Sequence, residues 1–130
     1  MHFYSFNIGD YMSHTVHLSL MEDLAYRRCL DIYYLHEKPL PEDATEVARL
    51  IRMPEHKPEV VQVLEEFFTH EVGTGYVHKR TNEEITKYQA KIQAASRAGK
   101  ASALARSNAS STKVQLNKKQ ETLNKKQETN

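Results

Sequence analysis

The feature that most constrains this chain is a capped helix that is apolar around most of its circumference. Ser19-Leu20-Met21-Glu22 is a capping box, with serine at the cap and glutamate three residues on. It opens a helix predicted to run to about Glu37. At 100° per residue, Leu20, Met21, Leu24, Ala25, Cys29, Leu30, Ile32, Tyr33 and Leu35 cover most of the wheel. Asp23, Arg27, Arg28 and Asp31 share one narrow arc. Such a helix is expected at the centre of a fold, covered on several sides, with Asp23 and Arg27 pairing at i,i+4. Arg27 and Arg28 need acceptors on it, which Asp23, Asp31 or Asp10 would supply.

The elements that follow are punctuated clearly. Proline cannot donate to a helical ladder, so Pro39-Leu40-Pro41 ends this helix and reads as extended. Asp43 caps a second helix whose Ala44, Val47, Ala48 and Ile51 share a face. Met53-Pro54-Glu55-His56 interrupts it, and Pro58 suits the first turn of a third helix. Val60, Val61, Val63, Leu64, Phe67 and Phe68 form the buried face of that third helix. Its other face shows Glu59, Gln62, Glu65 and Glu66.

After Phe68 the period changes. Residues 69–72 and 76–79 flank Gly73-Thr74-Gly75 and read as a β-hairpin, to which Phe3-Tyr4-Ser5-Phe6 would add a third strand. Gly9-Asp10-Tyr11 reads as a turn with a polar anchor. Thr81-Asn82-Glu83-Glu84 is a second capping box, opening a fourth helix with a docking stripe of Ile85, Tyr88, Ile92 and Ala95. Tyr26, Tyr33, Tyr34 and Tyr88 read as core or near-core residues. Helix, extended segment, helix, turn, helix, hairpin is the order of a winged helix-turn-helix. The predicted fold is therefore mainly α with a small β-hairpin. A winged-helix-like domain over 1–98, including the docked start of the fourth helix, precedes a basic, low-complexity tail over 99–130. From about Ser107 that tail reads as disordered, and Asn117-Lys118-Lys119-Gln120-Glu121-Thr122 recurs unchanged seven residues later.

Charge is divided unevenly along the chain. Residues 1–71 carry 6 Lys or Arg against 13 Asp or Glu, and residues 72–130 carry 12 against 4. A basic extension of this kind points to nucleic acid or an acidic partner. The cations placed to touch DNA are Arg49, Arg52 and Lys57 at the corner, Lys79 and Arg80 closing the wing, and Lys87, Lys91, Arg97, Lys100 and Arg106 along the fourth helix. In an ordinary winged helix the third helix enters the major groove. Here that helix would bring three carboxylates towards phosphates, which repel them. Glu59, Gln62, Glu65 and Glu66 suit a basic protein partner instead.

Little points to catalysis. No phosphate loop, nucleophile elbow or zinc-protease motif occurs. Nothing places a base beside Cys29, and His14 and His17 lack further ligands at zinc spacing. A non-enzymatic chain with no metal and no cofactor is expected. The lone cysteine suits a reducing, cytoplasmic setting. No apolar run approaches the roughly 18 residues that span a bilayer, so no membrane partner is expected, and the N-terminus lacks the pattern of a signal peptide.

Several segments also resemble a known family. Phe6-Asn7-Ile8-Gly9-Asp10-Tyr11 resembles its opening F-x-x-G-D-Y. The stretch from His17 to Arg28 resembles its signature H-L-S-L-x-E-x-G-A-Y-x-R, with Leu24 where the family often has glycine. Pro39-Leu40-Pro41, Val47-Ala48-Arg49-Leu50, Val63 to Phe68 and Val77-His78-Lys79-Arg80 follow in family order. Residues 3 to about 106 thus resemble the YdaU-type domain of unknown function found in phage and prophage genomes. The resemblance implies a winged-helix-like domain in a bacterial host cell. It also implies a role in initiating phage DNA replication; the alternative reading is an interaction module whose acidic third helix docks a basic partner such as a replicative helicase or its loader, without direct DNA binding. Many members continue into a longer C-terminal region, which a short polar tail replaces here.

Overall fold

The computed structural model describes the backbone of residues 1–117 and the side chains of residues 1–107. The low-complexity repeat from Asn117 onward lies outside the described residues, apart from Asn117 itself. Five helices and one hairpin follow in order: α1 (Ile8–Thr15), α2 (Leu20–His36), α3 (Ala44–Leu50), a 3-10 turn (Pro54–His56), α4 (Lys57–Phe67), β1 (Thr69–Glu71), β2 (Gly75–Val77) and α5 (Lys79–Asn117). The fold is mainly helical with a small antiparallel hairpin, as expected. Contacts divide the chain into two compact units, Met1–Thr86 and a second beginning at Lys87.

Local chemistry sets most of the boundaries. Ser19 and Glu22 form the complete capping box of α2, each side chain bonded to the other's backbone N–H. The helix ends at Glu37, whose φ of 56° turns the chain before Pro39. Asp43 caps α3 by accepting from the Thr45 amide at 2.9 Å. Pro58 sits in the first turn of α4, where no amide hydrogen is needed.

The core of the first unit lies chiefly between α2, α3 and α4. Tyr33, Leu40, Ile51, Val47, Val60, Val63 and Leu64 are fully covered. The hairpin pairs Thr69 with Val77, His70 with Tyr76 and Glu71 with Gly75. Leu40 extends it by one bridge, exchanging backbone hydrogen bonds with Tyr76 at 3.0 and 2.9 Å. Gly75 permits that approach. Its φ is 129°, and a Cβ there would collide with the Leu40 carbonyl oxygen.

Several expectations need correction. Phe3-Tyr4-Ser5-Phe6 forms no strand, and two of its three rings pack instead: Tyr4 stacks on Tyr34 with centroids 3.9 Å apart, and Arg27 lies 4.0 Å over the Phe6 ring. Gly9-Asp10-Tyr11 is not a turn but the first part of α1, capped by Asn7 accepting from the Asp10 amide at 3.0 Å. α2 is not covered all round, since Leu20 and Leu35 are exposed. Asp23 and Arg27 form no ion pair among the described residues; Asp23 accepts from the Tyr11 hydroxyl instead. Arg28 finds backbone acceptors rather than carboxylates, donating to the Ile51 and Arg52 carbonyls at 3.1 and 3.4 Å.

The last helix starts two residues earlier than its apparent capping box. Thr81 is buried, and the His78 ring caps the helix by accepting from the Thr81 amide at 3.3 Å. Along the expected docking stripe Ile85 is buried and Tyr88 half-buried, while Ile92 and Ala95 are exposed. α5 also continues as helix over 107–117, where the composition suggested disorder. Seven alanines between Lys87 and Ser107 supply helix propensity to the stretch before it, and Ala109 is the one alanine within 107–117.

Candidate functional site

The predicted cations fall into three groups. Arg49, Arg52 and Lys57 gather at the corner joining α3 to α4, all exposed and none in an ion pair among the described residues. Arg52 has a left-handed backbone, φ 63°, and the Arg28 hydrogen bonds pin the carbonyls beside it. Lys79 is exposed at the start of α5. Arg80 is different: its guanidinium is held by Asp10 of α1 and by Glu84 one turn along α5, the latter at 3.4 Å. These carboxylates raise its pKa further, and its charge is largely answered within the protein.

The third group is Lys87, Lys91, Arg97, Lys100 and Arg106, all exposed on α5. Between Lys87 and Asn117 the sequence has six Lys or Arg and no Asp or Glu. No ion pair among the described residues involves these five side chains; Lys87 has Glu83 and Glu84 one turn before it, and the four that follow have no acid on their stretch of the helix.

The acidic face of α4 is partly engaged. Glu66 takes the His17 ring, and Glu59 lies 3.7 Å from His56 Nδ1. Gln62 and Glu65 are exposed.

Sequence reasoning missed a cleft of about 240 Å³ in the first unit. Tyr4, Phe6, Tyr11, Tyr26, Tyr34 and Phe67 supply its aromatic lining, and Asp10, His78, Arg80 and Glu84 its polar groups. Two stacks of rings reach it. In one, Tyr4 lies nearly parallel to Tyr34, at 6°. In the other, Tyr26 lies 4.1 Å from Phe67 and 5.6 Å from Tyr11, both nearly parallel to it. These rings come from positions far apart in the sequence, so no local spacing announces them.

Most of the hydroxyls have carboxylate acceptors. Tyr4 donates to Asp31 at 2.6 Å, Tyr11 to Asp23 and Tyr34 to Glu84. Burial, aided by the adjacent Asp31 carboxylate, pushes the Tyr4 pKa up to about 12. Burial and the carboxylate partners raise Tyr11 and Tyr34 as well. His78 is driven the other way, down to about 4, by burial and then by the Arg80 charge. It is a neutral ring at neutral pH.

Other chemical candidates are accounted for by local contacts. Cys29 is fully buried and burial pushes its thiol up to about 12, the reverse of nucleophile activation. His14 Nδ1 lies 2.8 Å from the Asp10 carbonyl of its own helix, while His17 turns to Glu66. Among the described residues, no three His, Cys, Asp or Glu side chains are grouped to hold a metal ion. None of their helices is long and apolar enough to cross a membrane.

Comparison with known proteins places residues 2–86 under a family model described as protein of unknown function (DUF1376). That match ends where the first compact unit ends. The chain is also similar to the uncharacterized protein YdaU of Escherichia coli (strain K12). The two are 36% identical over 109 residues, covering 83% of this chain and 37% of that protein. The chain thus spans little more than a third of that relative's length. No solved structure matches it.

Proposed function

This chain belongs to the DUF1376 family of proteins of unknown function, and from that premise we propose that it is a non-enzymatic DNA-binding protein gripping phosphates with the basic part of α5. The observation that carries this reading is the acid-free run of exposed cations from Lys87 to Arg106. Each such cation that meets a phosphate releases counter-ions condensed on the DNA, and that release drives association.

A winged-helix-like arrangement is part of the proposal. The order α2, extended Leu40, α3, tight corner, α4, hairpin supports it, as does the single bridge between Leu40 and the hairpin. α4 is not the reading helix, because its open face carries Glu59, Glu65 and Glu66. Arg49, Arg52, Lys57 and Lys79 are secondary phosphate contacts. Arg80 drops out of the set, since Asp10 and Glu84 already hold it. The setting implied by the family resemblance is the start of phage DNA replication, with a helicase or its loader as protein partner.

The test is fluorescence anisotropy on non-specific duplex at several salt concentrations. Each phosphate contact contributes about 0.9 to the slope of log affinity against log salt. Replacing Arg97, Lys100 and Arg106 together with glutamine, which retains helix propensity, is expected to reduce that slope by about 1.8 if two of the three touch phosphates and about 2.7 if all three do. An unchanged slope overturns the assignment to α5. Absence of binding at low salt overturns DNA binding altogether and leaves the acidic α4 face as a dock for a basic protein.

A further inference from the structure

The cleft of the first unit has a polar feature that its own contacts leave incomplete. The Thr81 amide points its hydrogen at His78 Nδ1, so that nitrogen is an acceptor. The Thr81 hydroxyl lies 2.9 Å from the same nitrogen, and assigning Nδ1 as the acceptor of both puts the proton of the neutral ring on Nε2, 2.9 Å from the Tyr26 hydroxyl, which then accepts it. Tyr26 then has its own hydroxyl proton to give. His78 is the hydroxyl's sole hydrogen-bonding partner among the described residues, and it already acts as donor. Tyr26 is only 7% exposed, and it lines the cleft. A buried donor without an acceptor is costly, and an acceptor within the cleft would relieve that cost.

We propose that this tyrosine-lined cleft is a pocket for a single unpaired nucleobase, stacked on its rings and accepting a hydrogen bond from Tyr26. Tyr26 has both faces covered by Phe67 and Tyr11, so the base would stack on the outer rings of the two stacks, which take any base because every base has a π-face. Both Glu84 oxygens are taken by Tyr34 and Arg80, but Asp10 Oδ1 lies beside the oxygen that holds Arg80 and can accept from an amino or imino group, matching the mixed donor and acceptor edge of a base better than a plain phenyl ring. Size limits the occupant. Pockets for drug-sized ligands begin near roughly 300 Å³, so about 240 Å³ suits one ring system rather than a whole nucleotide. The same carboxylates disfavour a phosphate inside. The base would come from a single strand whose phosphates remain outside, and in that respect the inference rests on the DNA-binding reading. A free nucleoside offers the same chemistry.

Two labelled strands separate the terms: a thymidine decamer and an abasic strand of equal length, which keeps the phosphates and lacks the bases. The full chain is titrated with each by anisotropy at several salt concentrations. The thymidine strand is expected to bind about tenfold tighter, the scale of stacking on an aromatic platform. This ratio should stay constant with salt, because stacking releases no counter-ions. Tyr26→Phe and Tyr4→Ala should each lower the ratio towards one and leave abasic binding unchanged. Circular dichroism checks folding, and Tyr4, which lies in no helix or strand, carries the test if Tyr26→Phe does not fold. Equal binding of both strands by the unaltered protein overturns the pocket while sparing the phosphate contacts. Failure of both strands to bind at low salt overturns the DNA reading instead. The pocket is then decided by free thymidine: perturbed His78 ring resonances support it, and unperturbed resonances reject it.

Discussion

The first unit and the helix beyond it are built on opposite terms. Residues 1–86 carry 8 Lys or Arg against 15 Asp or Glu, and their apolar side chains make one core. Residues 87–117 carry six cations and no acid, and every side chain described from Gln89 to Ser107 is exposed, Ile92 and Ala95 of the apolar stripe included. One region derives its stability from burial. The other is helical through alanine propensity, and its distinguishing property is unanswered charge. The contrast teaches that stability and electrostatic attraction have been assigned to different stretches of the chain, so substitutions should separate them.

The largest expected effect tests burial. Leu64 on α4 is 1% exposed and Leu104 on α5 is 62% exposed. Leu64→Ala empties a covered site and should cost about 3 kcal/mol, within the range for buried leucines. Leu104→Ala should change stability by no more than about 0.5 kcal/mol. Urea denaturation followed by circular dichroism measures both. Similar costs at the two positions would break the comparison, because they would mean that the basic helix also has a buried face.

How much of this contrast was legible beforehand depended on whether the signal was local. Ser19, Asp43 and Pro58 mark their helix starts by side-chain chemistry within three residues, and the structure uses all three. The stripe from Val60 to Phe68 shows a buried face because its spacing fits one helix. The α1 helix was missed because it is short, contains Gly9, and leaves Ile8 and Met12 exposed, so no apolar face announces it. Its one available signal was Asn7, a good cap three residues before Asp10. His78 was missed as a cap because histidine is not a usual capping residue and Thr81 offered a conventional one. The cleft was least legible of all. Tyr4, Tyr11, Tyr26 and Tyr34 share it only because α1 and the N-terminal segment lie against α2, and those contacts are tertiary.

The next effect sharpens the electrostatic side of the first unit. His78 takes up a proton near 6.5 when unfolded and near 4 when folded. Between those values the unfolded chain binds more protons, so stability is full above pH 6.5 and falls as the pH drops towards 4. Allowing for partial solvent screening, the loss attributable to this ring is about 2 kcal/mol. His78→Asn keeps a helix cap but has no ring to titrate. Denaturation midpoints across this window should fall less steeply in the variant. Parallel pH profiles would show that the His78 ring is already open to water and contributes nothing to the acid sensitivity of the unit.

The smallest effect on stability concerns the acidic face of α4, and it bears most directly on the proposed DNA contacts of α5. Glu65 is exposed, and Glu66 meets only His17 at the surface. Replacing both with glutamine preserves helix propensity and leaves Glu66→Gln able to bond the His17 ring, so stability should change by less than about 0.5 kcal/mol. The change removes two negative charges from the protein. If phosphates are gripped by α5, DNA affinity should hold steady or rise slightly at low salt as long-range repulsion weakens, and the difference should fade as salt screens it. If α4 were the reading helix, these carboxylates would be accepting from cytosine amino groups, and their loss would cost about 1–3 kcal/mol per contact. Anisotropy on duplex DNA of mixed sequence distinguishes the two. A sharp fall in affinity with folding intact would move the DNA site into the acidic unit and erase the division of labour; a basic protein partner, by contrast, would lose affinity while DNA binding stayed level.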